Sequence, residues 1–197
     1  IRKILFPLHE KIMGRKTFQY LAELEAQQWL DKNALEALRF FKLQRLLMHA
    51  NNNIPFYRQR FKNCGFDPGT MQDMDDIKKI PPVSKAEIRA NLETMIWKSC
   101  PGGLFKYNTG GSSGEPLIFY FDRRRQAMDA AARALTHKWF GIDFGEKELY
   151  LWGSPVELKK QDRLKQIRDF LINSLLISAY DISLNNVPDI YRKMIRF

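Results

Sequence analysis

Very little in this chain points to covalent stapling or to a metal. Cys64 and Cys100 are the two cysteines in 197 residues, too few for a disulfide framework and not at metal-ligand spacing. A reducing, cytoplasmic setting is therefore expected. The three histidines, His9, His49 and His137, lie far apart, with no carboxylate at the helical spacing that zinc sites use. Long apolar runs are missing too. The nearest, FLINSLLISAY at 170–180, falls short of the ~20 residues a bilayer span needs. At the N-terminus, Pro7, His9 and Glu10 interrupt what would otherwise resemble a secretory signal, leaving a surface helix as the expectation. The chain opens without Met and stops at Phe197 in a helix-like stretch, which reads as a piece of something longer. Acidic residues are also scarce. Asp and Glu number 22 against 32 Lys and Arg, a formal charge of +10, so the expected partners are anionic: a nucleotide, a nucleic acid or an acidic membrane surface.

What the chain does have is core-building material, at 45% hydrophobic and 13% aromatic residues, enough to exclude disorder. Residues 1–100 read as a helical N-terminal segment. Leu43, Leu46, Leu47 and Ala50 share one face of a 3.6-residue repeat, on a helix expected to start at Asn33 with Glu36 as capping partner. Pro55 breaks it by disfavouring helical geometry at Ile54. Ser84 and Glu87 form a capping box ahead of an expected buried stripe of Ile88, Leu92 and Met95. From 101 onward the pattern becomes α/β. LFKY at 104–107 and LIFYF at 117–121 are β-prone. Asp122 caps a helix whose inner face is small (Ala127, Ala130, Ala131, Ala134), closed by Gly141. ELYLWGSP at 148–155 is expected to be a strand ending in a turn. Residues 162–177 are expected to be an amphipathic helix with Leu164, Ile167, Leu171 and Leu175 inward, and Pro188 opens a last helix carrying Ile190, Met194 and Phe197.

Between the two β-prone runs lies YNTGGSSGEP at 107–116. A slack linker would have polar, featureless flanks. A loop held by strands and followed by a capped helix is a shaped one. Its glycines can take φ > 0 and bring backbone N–H groups close to a ligand, and successive N–H groups in such turns, with hydroxyl donors, form an anion-binding concavity. Phosphate is the natural guest, and a plain hairpin turn is the bland alternative. It is not a Walker A loop, because Glu115 and Pro116 stand where that motif places its lysine.

YNTGGSSGEP resembles the phosphate-binding loop of the adenylate-forming enzymes, with Thr109, Gly110, Gly111, Ser112, Ser113, Gly114 and Pro116 on matching positions. HANNNIPFYRQRF (49–61), GFDP (65–68), IPPVSKAEIRANL (80–92) and LWGSP (151–155) are similar to the phenylacetate–CoA ligase relatives found in surface-polysaccharide biosynthesis. The resemblance covers about residues 40–160. It implies an α/β fold in which 1–100 is the helical segment and 101–197 begins the large adenylation domain. It also implies a reaction in which a small-molecule carboxylate and Mg2+–ATP give an acyl-adenylate and pyrophosphate, with transfer to CoA or another acceptor. Thr109, Gly110, Gly111, Ser112, Ser113 and Gly114 would be the ATP-binding set, with no metal ligand and no catalytic residue assigned. Where many relatives have lysine after the proline, this chain has Leu117, and Arg123, Arg124 and Arg125 are candidate replacements by proximity, with a solvated face as the plainer account. The rest of such an active site would lie beyond Phe197, so residues 1–197 alone are expected to be inactive.

Trp152 and Gly153, at a strand end, are weaker candidates for an acyl pocket, a position where tryptophan is more often core. His137 reads as a structural histidine. Lys159, Lys160, Arg163, Lys165 and Arg168 form a basic helix face, most often mere solvation. The rival function is a non-catalytic basic interaction or peripheral-membrane module that keeps a relic loop, which leaves a membrane surface open as a partner. Nucleic acid is disfavoured, because the aromatic residues sit in apolar strands instead of alternating with the basic runs. Oligomeric state is not legible.

Overall fold

In the computed structural model, residues 4–109, 116–153, 169 and 171–197 are described. The chain forms two compact units, one of Ala22–Gln126 and one of Ile1–Leu21 with Ala127–Phe197.

The first unit is built around α3 (Lys32–Asn53) and α4 (Pro55–Asn63). The α3 N-cap is Asp31, whose carboxylate accepts from the Ala34 amide at 2.8 Å. The helix thus starts ahead of the expected Asn33: aspartate and asparagine both cap well, and the earlier one takes the role. Pro55 ends α3 as expected, with Ile54 extended (φ −122°, ψ 106°), and then itself opens α4 at its first turn. Ala50, Phe61, Phe66 and Met71 are the buried cluster, with Leu43, Leu47, Tyr57 and Ile80 packed on it. Leu46 departs from its expected place on the inner stripe, being 61% exposed. The Ser84–Glu87 capping box is present and opens α5 (Lys85–Ala90), while Arg60 bridges to Glu87 at 2.9 Å and to the Pro81 carbonyl at 3.0 Å. Hydrogen bonds from Ser84 first, and then Arg60, hold the Glu87 carboxyl below its usual range. Antiparallel β1 (Phe105–Asn108) and β2 (Ile118–Phe121) pair from Phe105 with Phe121 to Asn108 with Ile118. These are the two expected strands, the first shifted by one residue and the second starting one residue later.

In the other unit, α1 (Leu5–Ile12) turns at Gly14 (φ +62°) into α2 (Thr17–Gln27). Phe6, Phe18 and Phe144 form an aromatic triangle with centroids 4.5–5.7 Å apart. Helix α6 (Arg123–Lys138) buries Ala127, Ala131 and Ala134 and is capped as expected, Asp122 accepting from the Arg125 amide at 2.8 Å. β3 (Glu148–Trp152) pairs in parallel with β4 (Ser174–Ser178). β4 corrects the expected helix over 162–177. Asn173 has φ +58°, its carbonyl accepts from the Glu148 amide at 2.9 Å and its side chain donates to the Gly145 carbonyl at 2.7 Å. The helical pattern therefore stops before Ser174, Leu175 lies in a strand, and Leu171 is 53% exposed. Leu164, Ile167 and the basic set Lys159, Lys160, Arg163, Lys165 and Arg168 lie outside the described residues. α7 (Val187–Arg196) has Pro188 in its first turn, as expected. No helix among the described residues is long and apolar enough to cross a membrane.

Candidate functional site: the hairpin neck

The β1–β2 hairpin fixes where the Gly/Ser loop leaves and returns. At its open end the Thr109 amide donates to the Leu117 carbonyl at 3.0 Å. The Leu117 amide donates to the Thr109 hydroxyl oxygen, Oγ1, at 2.9 Å. The chain on either side of the loop is therefore tied together one residue beyond the strands. Gly110, Gly111, Ser112, Ser113 and Gly114 lie outside the described residues. Of the expected phosphate-binding set, Thr109 is the member whose position is described, and it holds the neck.

One face of the hairpin is aromatic. Phe105 faces Phe121 at 6.1 Å and Tyr107 faces Phe119 at 5.4 Å, the cross-strand pairs that stabilise a short ladder. Arg123 lies over Phe105 at 5.2 Å and Arg125 over Phe121 at 4.9 Å. Arg124 lies over Trp97 at 5.8 Å and pairs with Asp122 at 3.1 Å. The register sets this basic triplet at the Phe105–Phe121 end of the ladder. Leu117 is four residues from Phe121, about 13 Å along the strand. The guanidinium groups are thus engaged by rings and a carboxylate at the far end from the neck.

A groove of about 650 Å3 runs beside β2, lined by Leu117 to Phe121 together with His49, Tyr57, Ile88, Leu92, Met95 and Trp97. The expected stripe of Ile88, Leu92 and Met95 is half-buried here and lines this groove, and Leu46 contributes to it as well. Sequence reading missed its aromatic residues. Tyr57 and Trp97 were the available signal, but nothing local to either announces a groove. Cys100, also on the lining, is pushed above the usual thiol range by burial first and by the nearby Asp122 charge second, an unreactive setting.

Trp152 and Gly153 belong to the other unit. Trp152 ends β3, 41% exposed, its carbonyl accepting from the Ala179 amide at 2.9 Å. A side chain at Gly153 would meet open space. In the same unit Glu148 gathers His137 at 3.2 Å and the Tyr150 hydroxyl, with Arg133 over the Tyr150 ring at 5.5 Å. The structural role expected for His137 fits this. Burial, and then the hydrogen bond to Glu148, push Tyr150 up to about 12. The described residues contain no group of three His, Cys, Asp or Glu placed to hold a metal.

No protein-family model matches the chain. It is 24% identical over 184 residues to the protein CapK of Staphylococcus aureus, covering 93% of this chain and 40% of that protein. To phenylacetate–coenzyme A ligase of Pseudomonas putida it is 31% identical over 101 residues, 45% of this chain and 21% of that one. The same ligase of Escherichia coli is 35% identical over 97 residues, 49% and 22% of the two chains. The chain thus spans well under half the length of the curated relatives it matches.

Proposed function

We propose, for a chain whose relatives lie in the phenylacetate–CoA ligase-like branch of the adenylate-forming enzymes, that it carries the ATP-phosphate loop of a ligase. In this reading the protein activates a small-molecule carboxylate to an acyl-adenylate, releases pyrophosphate and passes the acyl group to CoA or another acceptor, in cell-envelope polysaccharide metabolism. The observation that carries the proposal is the tied neck. A Gly/Ser sequence of phosphate-binding type is anchored on both sides by Thr109–Leu117 hydrogen bonds and is followed, after β2, by a capped helix.

The chemistry asked of this chain is positioning. Backbone N–H groups of Gly110, Gly111 and Gly114 and the hydroxyls of Ser112 and Ser113 would donate to the β- and γ-phosphates, holding the leaving pyrophosphate while the carboxylate attacks the α-phosphorus. Fixed donors aimed at developing charge lower a barrier without reorganising. Mg2+ would supply neutralisation of phosphate charge, and no residue of the chain is assigned to it. Residues 1–197 alone are expected to stay at background turnover, because groups that act as a unit lose nearly everything when part is removed.

The test is the double substitution Ser112→Ala with Ser113→Ala in the full-length protein. Each hydrogen bond to a charged group is worth about 1.5–3 kcal/mol, and ~1.4 kcal/mol is a factor of ten, so kcat/KM for ATP should fall at least tenfold while the melting temperature barely moves. Unchanged ATP kinetics would make the loop a connector.

A second reading, a peripheral-membrane module, has its own observation. α7 exposes Val187, Tyr191, Met194 and Ile195. At 100° per residue these share one side, and Arg192, Lys193 and Arg196 share the other, the pattern of a helix lying in an anionic membrane surface.

A further inference from the structure

We infer that Thr109 is a positioning residue of the phosphate loop, acting through the Leu117 amide as a side-chain substitute for a missing rung of the ladder; this rests on the nucleotide-binding reading above.

Along β1 and β2, opposed residues alternate between hydrogen-bonded and non-hydrogen-bonded pairs. Thr109 and Leu117 follow the Asn108–Ile118 pair, and the bond from the Thr109 amide to the Leu117 carbonyl marks theirs as a hydrogen-bonded position. Such a pair normally exchanges two backbone bonds. Here the return bond goes from the Leu117 amide to Thr109 Oγ1 at 2.9 Å, and the Thr109 carbonyl accepts instead from the Asn108 side-chain amide at 3.3 Å. The side chain completes the pair and releases the backbone carbonyl to turn out of the ladder.

This explains why a residue with a hydroxyl belongs at the threshold of the loop. A second backbone rung would require the Thr109 carbonyl to stay in the plane of the sheet and would extend the flat ladder into the loop. With the hydroxyl as acceptor, the ladder does not need the Thr109 carbonyl, and the two ends stay clamped. Leu117 then contributes to the site through its backbone amide, which any residue but proline supplies. The Thr109 hydroxyl accepts from the Leu117 amide and keeps its own O–H proton as a donor; the role assigned to it is the acceptor one, which acts on a nucleotide through the loop's geometry.

The experiment compares Thr109→Val, Thr109→Ala and Thr109→Ser in the full-length protein. Valine keeps the shape and strand preference but has no acceptor, alanine loses the acceptor without β-branching, and serine retains it. Backbone amide exchange at Leu117 is measured together with KM and kcat for ATP. In the valine and alanine variants, Leu117 exchange should be about five- to tenfold faster, the factor one neutral hydrogen bond is worth. KM should rise by a similar factor with kcat changed less. Serine should match the wild type in both. Unchanged Leu117 exchange in the valine and alanine variants, or a serine variant as impaired as valine, overturns the assignment. A wild-type protein that binds no ATP overturns the nucleotide reading, while the exchange rates still decide whether Thr109 ties the neck.

Discussion

Removing Arg15 should damage this protein more than removing Arg15 and the charge of Glu10 together. Glu10 is 3% exposed on α1, and its Oε1 lies 2.7 Å from Arg15 Nη2. Its other oxygen accepts from the hydroxyl of Thr17, which is fully buried. His9 Nδ1 is 3.5 Å from the same carboxylate. The arrangement ties the Gly14 corner between α1 and α2. Deleting one partner of a buried ion pair costs about 3–5 kcal/mol, because the other charge stays behind without compensation. The Arg15 side chain is 18% exposed, which lets water reach the gap, so Arg15→Met should fall at the low end, about 3 kcal/mol. Glu10→Gln in the same background removes the stranded charge and keeps an acceptor for Thr17, so the double variant should lie within about 1 kcal/mol of wild type, roughly 2 kcal/mol more stable than Arg15→Met alone.

Urea denaturation followed by far-UV circular dichroism gives the four stabilities, and amide exchange in α1 and α2 shows whether the loss is local to the corner. If Arg15→Met costs under about 1 kcal/mol, or the double variant is no better than the single, the corner is held by its aromatic contacts and the ion pair is incidental.

Two further outcomes are expected. Because the folded-state pKa of Tyr150 lies near 12 against an ordinary value of 10.0, its contribution to stability is complete below about pH 10 and is lost as pH rises toward 12. Phenolate absorbance of wild type minus Tyr150→Phe should show one group titrating near 12, and a midpoint near 10 would refute the burial argument. If α7 lies on membranes, the protein should co-sediment with vesicles containing anionic lipid and not with neutral ones, and Ile195→Asp should abolish binding; equal recovery with both vesicle types would refute that mode.

Local chemistry in the sequence was decisive wherever one interaction had no competitor. Ser84 and Glu87 cap each other within four residues, Asp122 caps α6, and the Gly/Ser stretch between two β-prone runs could scarcely be other than a hairpin. Pro55 is similar, since a ring that removes one hydrogen bond and restricts Ile54 has few outcomes. Where two neighbours offered the same chemistry, local rules stopped short. Asp31 and Asn33 are both competent caps, and it is Asp31 that accepts the Ala34 amide.

The larger departures have a tertiary cause. Leu171 and Leu175 are four residues apart, a helical spacing, yet SLLIS is also a run with strand character, and periodicity alone does not separate the two. What separates them is β3, which offers five residues of parallel pairing, and Asn173, which takes the left-handed conformation that ends a helix. Leu46 shares its stripe with Leu43, Leu47 and Ala50 but lies toward the β2 groove, whose other side comes from residues more than forty positions away. The neck is the same case at the scale of one atom. The hydroxyl of a threonine ahead of a glycine run reads naturally as another phosphate donor. Only the register, by setting Leu117 opposite it in a hydrogen-bonded position, shows that oxygen already accepting an amide. A motif gives the residue types a loop needs; which of them face the ligand and which hold the loop in shape is settled by partners that the motif does not contain.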